Sequence, residues 1–115
     1  MKRIYLACPY SNKDKTVELY RFNKVNEAAA KLMLKGFAVF SPISHSVPIA
    51  EHIPGSNNDH DFWLSQDKEF IDICDEMYVL CLGGWHDSFG VNWEIKYVKK
   101  QSKPITYIDG ECNVI

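Results

Sequence analysis

Apolar and polar residues fall in blocks along the chain, and the blocks have two different periods. Ile4 to Cys8 is a short apolar run closed by Pro9, which has strand length. A polar patch follows at Ser11, Asn12, Lys13 and Asp14. From Lys15 to Lys35 the apolar positions Phe22, Val25, Ala29, Leu32 and Met33 recur at helical spacing. That predicts an amphipathic helix with Gly36 as its C-terminal stop. Phe37 to Phe40 predicts a second strand. Residues 41–58 hold Pro42, Pro48, Pro54, Gly55 and two Asn, and predict a long irregular loop of the kind that usually carries function. A second helix is expected from Asp59 or His60 to Cys74, with Asp59 as its N-cap. Glu76 to Leu82 is nearly all apolar, as in a strand buried on both faces. The turn from Gly83 to Ser88 leads into a helix from Phe89 to Gln101. Pro104 to Ile108 gives a last short strand, and the tail beyond Asp109 carries no assignment.

Strands that alternate with helices imply right-handed crossovers and a parallel sheet. The expected fold class is therefore α/β. It is a single domain over residues 1–115, a Rossmann-like or flavodoxin-like three-layer fold with a parallel sheet of four to five strands. In such sheets ligands bind beyond the carboxyl ends of the strands. Three segments should then converge on one crevice: Pro9 to Asp14, Ser41 to Asn58, and Gly83 to Gly90.

Composition narrows the partners. The chain has 115 residues, 46% hydrophobic and 24% charged, which suits one soluble domain with its own core. A net charge of −2 leaves no broad basic face, so a nucleic acid polymer is not an expected partner. A small molecule is. Cys8, Cys74, Cys81 and Cys112 form no C-x-x-C pair and have no zinc-type histidine spacing beside them; they are expected to be reduced, structural thiols. Met1-Lys2-Arg3 is followed by too short an apolar run for a secretory signal, and no stretch is long enough to span a bilayer. A cytoplasmic location, with no membrane contact, is expected.

A few residues break the pattern in ways that suggest chemistry. Asp67 lies four residues after Trp63, three before Phe70, four before Ile71 and seven before Cys74, in the middle of the apolar stripe. A carboxylate there is costly unless it is paired, hydrogen-bonded or protonated, and such groups often mark functional sites. The alternative is a groove-edge residue or a loop cap. Glu94 sits at the edge of the face made by Val91, Ile95 and Val98, where an acid also simply complements the helix dipole. Ser88 and Gly90 open the same helix, an arrangement suited either to an anion or to ordinary capping. His45 lies in the long loop with His52 and His60 downstream. Their spacing specifies no metal site, and a pocket-lining role suits His45 better. Arg21, on the inner side of the first helix, can reach a ligand phosphate or make an ordinary ion pair.

Taken in order, these features resemble the nucleoside 2-deoxyribosyltransferase superfamily. Ile4-Tyr5-Leu6-Ala7-Cys8-Pro9 resembles its opening strand. Asp67 followed by Cys74-Asp75-Glu76-Met77-Tyr78-Val79-Leu80 resembles the helix acid that precedes the third strand. Ser88-Phe89-Gly90-Val91-Asn92-Trp93-Glu94-Ile95 resembles the signature in which a small residue, a glycine and then a glutamate open a helix. The resemblance implies that Glu94 is the nucleophile, Asp67 the acid acting on the leaving base, and Tyr5 the tyrosine beside the nucleophile. Ser88 stands where the nucleoside transferases usually carry Asp, and where the 5′-monophosphate N-hydrolases carry a phosphate-contacting Ser. The closest branch is thus the (deoxy)nucleoside 5′-monophosphate N-hydrolases, together with related small bacterial and phage proteins. Ser11 falls near the position of their first-loop basic residue, leaving Lys13 or Arg21 as substitutes.

The implied reaction is hydrolysis of the base–sugar bond through a covalent glycosyl-Glu94 intermediate, as in retaining glycosidases. Asp67 is expected to be protonated and Glu94 ionised. Ser88, Gly90 and Ser11 are expected around the phosphate, and His45 and Trp63 around the base. No metal or cofactor is required. The alternatives are a deoxyribosyltransferase acting on free nucleosides, with Asp87 orienting the sugar, or a non-catalytic nucleotide-binding module. The resemblance also implies a homodimer or higher homo-oligomer; Trp85, Trp93 and Tyr97 would suit an interface, and equally a small core.

Overall fold

The computed structural model describes residues 1–55 and 59–115. Four strands form one sheet: β1 (Arg3–Ala7), β2 (Ala38–Phe40), β3 (Glu76–Leu80) and β4 (Ile105–Ile108). Their order is β2-β1-β3-β4 and every neighbouring pair is parallel. The expected α/β class and parallel sheet are therefore observed, with four strands. Tyr5 of β1 stands beside Phe40 on one side and Met77 on the other. From β1 the chain moves to one edge to form β2, then crosses back over β1 to form β3. The crevice between β1 and β3 is where such a sheet binds ligands.

Strand periodicity sorts the core into two layers. Leu6, Cys8, Leu80 and Ile108 pack against α1 (Lys15–Leu34) through its Val25, Ala28, Ala29 and Leu32. On the opposite face Tyr5, Ala7, Met77 and Val79 pack against α3 (His60–Ile73) and α4 (Phe89–Lys100) through Ile71, Val91, Ile95 and Val98. Residues two apart on a strand share a face, so β1 and β3 serve both layers at once.

Each helix begins on an Asp or Ser cap. Asp14 accepts from the Thr16 amide at 2.9 Å, Asp59 from the Phe62 amide at 2.9 Å, and Ser88 from the Val91 amide at 3.2 Å. α1 ends where Gly36 takes φ +100°; its amide bonds to the Met33 carbonyl and the Phe37 amide to the Leu32 carbonyl. Only a residue tolerant of positive φ closes the helix this way.

Three sequence expectations are corrected here. The segment 41–58 is not all irregular loop: Pro42–Ala50 forms a further helix, α2. Pro42 occupies its first turn, where a missing N–H costs nothing, and Ser41 caps it by accepting from the Ser44 amide at 3.4 Å. Ser44 in turn hydrogen-bonds Asn26 of α1, which ties α2 to the body of the fold. Positions 56–58, the end of that expected loop, lie outside the described residues. The buried face of α1 includes Arg21 and Ala28 in place of Met33, which is 53% exposed. β3 ends at Leu80, two residues short of expectation.

The tail folds back on the sheet edge. The Asp109 carboxylate accepts from the amides of Glu111 and Asn113, and Val114 pairs antiparallel with Ile108. The four cysteines are free thiols, and no helix among the described residues is long and apolar enough to cross a membrane. Trp85 packs against Tyr107 with ring centroids 5.6 Å apart, and Trp93 stacks on Tyr97 at 5.2 Å.

The corrected phase of α1 has a direct test in chemical denaturation. Leu32→Ala is expected to cost about 2–5 kcal/mol, as cavity-forming core substitutions do. Met33→Ala is expected to stay within about 0.5 kcal/mol of the parent. Equal losses would restore the alternative face.

Candidate active site

Beyond the carboxyl ends of β1 and β3 lies a cavity of about 600 Å³. Tyr10 and Ser11 come to it from the loop after β1, Ile43, Ser46, Val47 and Ala50 from α2, and Asp59, His60, Trp63, Leu64 and Asp67 from the start of α3. Asp87, Ser88, Phe89, Gly90, Val91 and Glu94 complete it from the entry to α4. The three segments expected to converge do meet here, joined by the first half of α3.

At its floor, Glu94 projects from the inner face of α4 and is 5% exposed. The Tyr5 hydroxyl, from the fully buried centre of β1, donates a hydrogen bond to Glu94 Oε2. Burial is the main force on the Glu94 carboxyl, and the nearby Asp67 charge adds to it; together they push its pKa up to about 8, against the opposing donation from Tyr5. Asp67, half-buried on α3, is raised to about 6, again chiefly by burial, while the Tyr5 hydroxyl favours its charged form. Tyr5 itself is held well above its ordinary value by burial and then by the two carboxylates, so it remains a proton donor. Among the described residues no Lys or Arg lines the cavity to offset the pair.

Asp67 is expected to be protonated and is indeed raised, but burial pushes Glu94, expected to be ionised, toward its protonated form as well. The physical reason is depth: Glu94 is packed with Val91, Ile95 and Val98, while Asp67 keeps partial access to the cavity. Two such coupled acids are best read as a pair that shares one proton across neutral pH.

The entry to α4 forms the opposite wall. Ser88 Oγ accepts the Val91 amide, and its hydroxyl hydrogen remains available to a ligand. The amides of Phe89 and Gly90, in the first turn, have no acceptor among the described residues. Trp63, Ile43, Val47 and Leu64 supply a largely apolar side.

Not every expected site residue faces the cavity. His45 is exposed on α2 and packs against Phe40 at 5.4 Å and Phe70 at 5.9 Å; Ser46 and Val47 face the cavity instead. Arg21 is buried behind the wall, donating to the carbonyls of Tyr10, Ser11 and Gly83, and among the described residues it neither lines the cavity nor forms an ion pair. Tyr10, Asp59 and His60 line the cavity without having been singled out for it. The strand-end rule already pointed to Tyr10, directly after Pro9, and Asp59 and His60 open α3. Cys8 also lines the cavity, but burial pushes its thiol up to about 12, which makes it a poor nucleophile. Among the described residues, no group of three His, Cys, Asp or Glu side chains stands ready to hold a metal ion.

The chain belongs to the family described as domain of unknown function DUF1937, whose model matches residues 2–109. No curated protein matches it. Among the solved structures that share its fold are two deoxyribosyltransferases. The 2-deoxyribosyltransferase from the psychrotolerant bacterium Bacillus psychrosaccharolyticus is similar with a TM-score of 0.63 and 23% identity, over 98% of this chain and 76% of that one. The 2-desoxiribosyltransferase from Leishmania mexicana is similar with a TM-score of 0.62 and 19% identity, over 95% of this chain and 65% of that one.

The raised Glu94 pKa makes a stability prediction that needs no substrate. Between its unfolded value, near 4.5, and its folded value, near 8, the native state holds a proton that the unfolded chain has lost. Native stability therefore falls as pH rises through that window. Glu94→Gln removes the ionisation, so its Tm at pH 8.5 is expected to exceed that of the parent by several degrees. At pH 4 the two should coincide. Parallel Tm curves over the whole range would show that Glu94 ionises freely.

Proposed function

We propose that this member of the DUF1937 family cleaves the N-glycosidic bond of a (deoxy)nucleoside 5′-monophosphate, with Glu94 as nucleophile and Asp67 as general acid. The observation that carries the reading is the buried Tyr5–Glu94–Asp67 group at the floor of a strand-end cavity large enough for a nucleotide. Two carboxyl groups with one proton between them are what retaining cleavage requires.

In the reactive form Glu94 is ionised and Asp67 protonated. Glu94 attacks the anomeric carbon as the bond to the base breaks, and the bonding pair leaves with the base nitrogen. Asp67 gives that nitrogen its proton. The Tyr5 hydroxyl stays on Glu94 and favours the ionised nucleophile, which counters the burial that otherwise protonates it. A water then attacks the glycosyl ester with Asp67 as base, releasing the sugar and restoring both acids. The Ser88 hydroxyl and the Phe89 and Gly90 amides support a phosphate at the start of α4.

A second reading, transfer between free nucleosides, is favoured by one observation. Among the described residues the cavity lining holds four acids, Asp59, Asp67, Asp87 and Glu94, and no Lys or Arg, which suits an uncharged substrate better than a dianion. On this reading a second base resolves the ester in place of water, and Asp87 orients the sugar.

Release of free base should be measured on ribo- and deoxyribonucleosides and their 5′-monophosphates, with and without an acceptor base. The parent is expected to act on at least one class, Glu94→Gln to lose turnover, and Asp67→Asn to fall by about 10²–10⁴-fold in kcat. Rate should peak near pH 7, where the pair carries one proton, with limbs near 6 and 8. No release from any of these substrates by the folded parent would overturn the enzyme reading.

A further inference from the structure

Arg21 is a buried cation without a counter-ion. It is 7% exposed, and no carboxylate pairs with it among the described residues. Withdrawing a guanidinium from water is costly, so its hydrogen bonds must compensate. All its recorded partners are backbone carbonyls, and they lie on two separate loops. Nη1 donates to Tyr10 O at 3.2 Å and Ser11 O at 3.1 Å, both after β1. Nη2 donates to Gly83 O at 2.8 Å, after β3. These loops follow the two central strands, and both lead to the cavity. Tyr10 and Ser11 form one wall, and five residues beyond Gly83 the chain reaches Ser88 in the other.

The geometry points to Arg21 as a positioning residue that clamps the β1 loop to the β3 loop and so fixes the separation of the two cavity walls. A planar fork with donors on both arms suits this task, whereas a lysine ammonium presents one point charge. The neighbouring backbone fits the same reading. Gly84 takes φ +84°, and a Cβ there would stand 3.0 Å from Arg21 Nη2, so glycine leaves room for the guanidinium. For substrate binding the inference rests on the glycosidase reading; the clamp itself does not.

Two variants perturb the contact from opposite ends, Arg21→Lys from the helix and Gly84→Ala from the loop. Amide hydrogen exchange on the unliganded protein tests the clamp. Gly84→Ala is expected to raise exchange at residues 10–12, in the other loop, by about tenfold, the effect of losing a charge-assisted hydrogen bond. Arg21→Lys should do the same at both loops. Unchanged exchange at residues 10–12 in both variants would overturn the proposal. Steady-state kinetics with a deoxynucleoside 5′-monophosphate then tests the consequence. Arg21→Lys is expected to raise KM about tenfold with kcat within about threefold, and adding Gly84→Ala should cost little more, because both act on one contact. A lower Tm with KM unchanged, or fully additive effects, would mean packing alone and would overturn the positioning role. If the parent turns over no substrate, the glycosidase reading fails by itself, and exchange still decides the clamp.

Discussion

The hydrogen bond from Tyr5 to Glu94 joins the centre of the sheet to the last helix at the floor of the cavity. Its geometry depends on both core layers at once. Tyr5 is fixed by β2 and β3 on either side and by Phe40, whose ring lies 5.9 Å away. Glu94 is fixed by Val91, Ile95 and Val98, which pack the same helix onto the sheet. Asp67 then enters from α3, the third element to meet there. A shift in any one of these would separate the acids from the hydroxyl. The core of this small chain thus holds three polar groups in register where burial alone would favour apolar ones.

Burying Glu94 and half-burying Asp67 with no Lys or Arg lining the cavity among the described residues is unfavourable, and the apolar core must outweigh it. Ala7, Met77, Val79 and Ile71 share the core layer of Tyr5 and are nearly or fully inaccessible to solvent. The arrangement is a local conflict between stability and chemistry of the kind expected at a functional site. Away from the floor the cavity walls are loops and helix starts, which a core does not position by itself. That task falls to polar contacts: Ser44 with Asn26, the Asp59 and Ser88 caps, and the three carbonyl contacts of Arg21.

Much of the architecture is legible in the sequence, because burial imposes the periods from which it is read. The strand runs, α1, α3, α4 and the Gly36 stop all follow from spacing and cap chemistry. Asp67 and Glu94 are visible as acids set in or beside apolar stripes, and the structure brings both to one cavity with Tyr5 beneath. The misreadings have physical causes. α2 is obscured by prolines, yet Pro42 falls in the one part of a helix that tolerates it. Arg21 is buried one turn before Val25, where a hydrophobicity pattern sees only a charge; Met33 takes its place in that pattern though it faces solvent. His45 carries no spacing signal at all, and its aromatic neighbours come from β2 and α3. The burial that raises the Glu94 carboxyl depends on depth, which a helical wheel does not contain.

That burial bears on how such a site becomes reactive on the proposed reading. It raises both Glu94 and Asp67 toward their protonated forms, and Glu94 must ionise to act as nucleophile. A substrate changes the terms on both sides. It fills the opening that solvates Asp67, which raises the acid's preference for its proton. It also brings a developing positive charge on the sugar next to Glu94, which favours the ionised form there. The Tyr5 hydroxyl, which donates to Glu94, also favours the charged form of Asp67. On the proposed reading the two acids share one proton, and a bound substrate biases which of them holds it. On that reading the nucleophile ionises when a sugar is bound, so depth of burial and catalytic readiness are two sides of one arrangement.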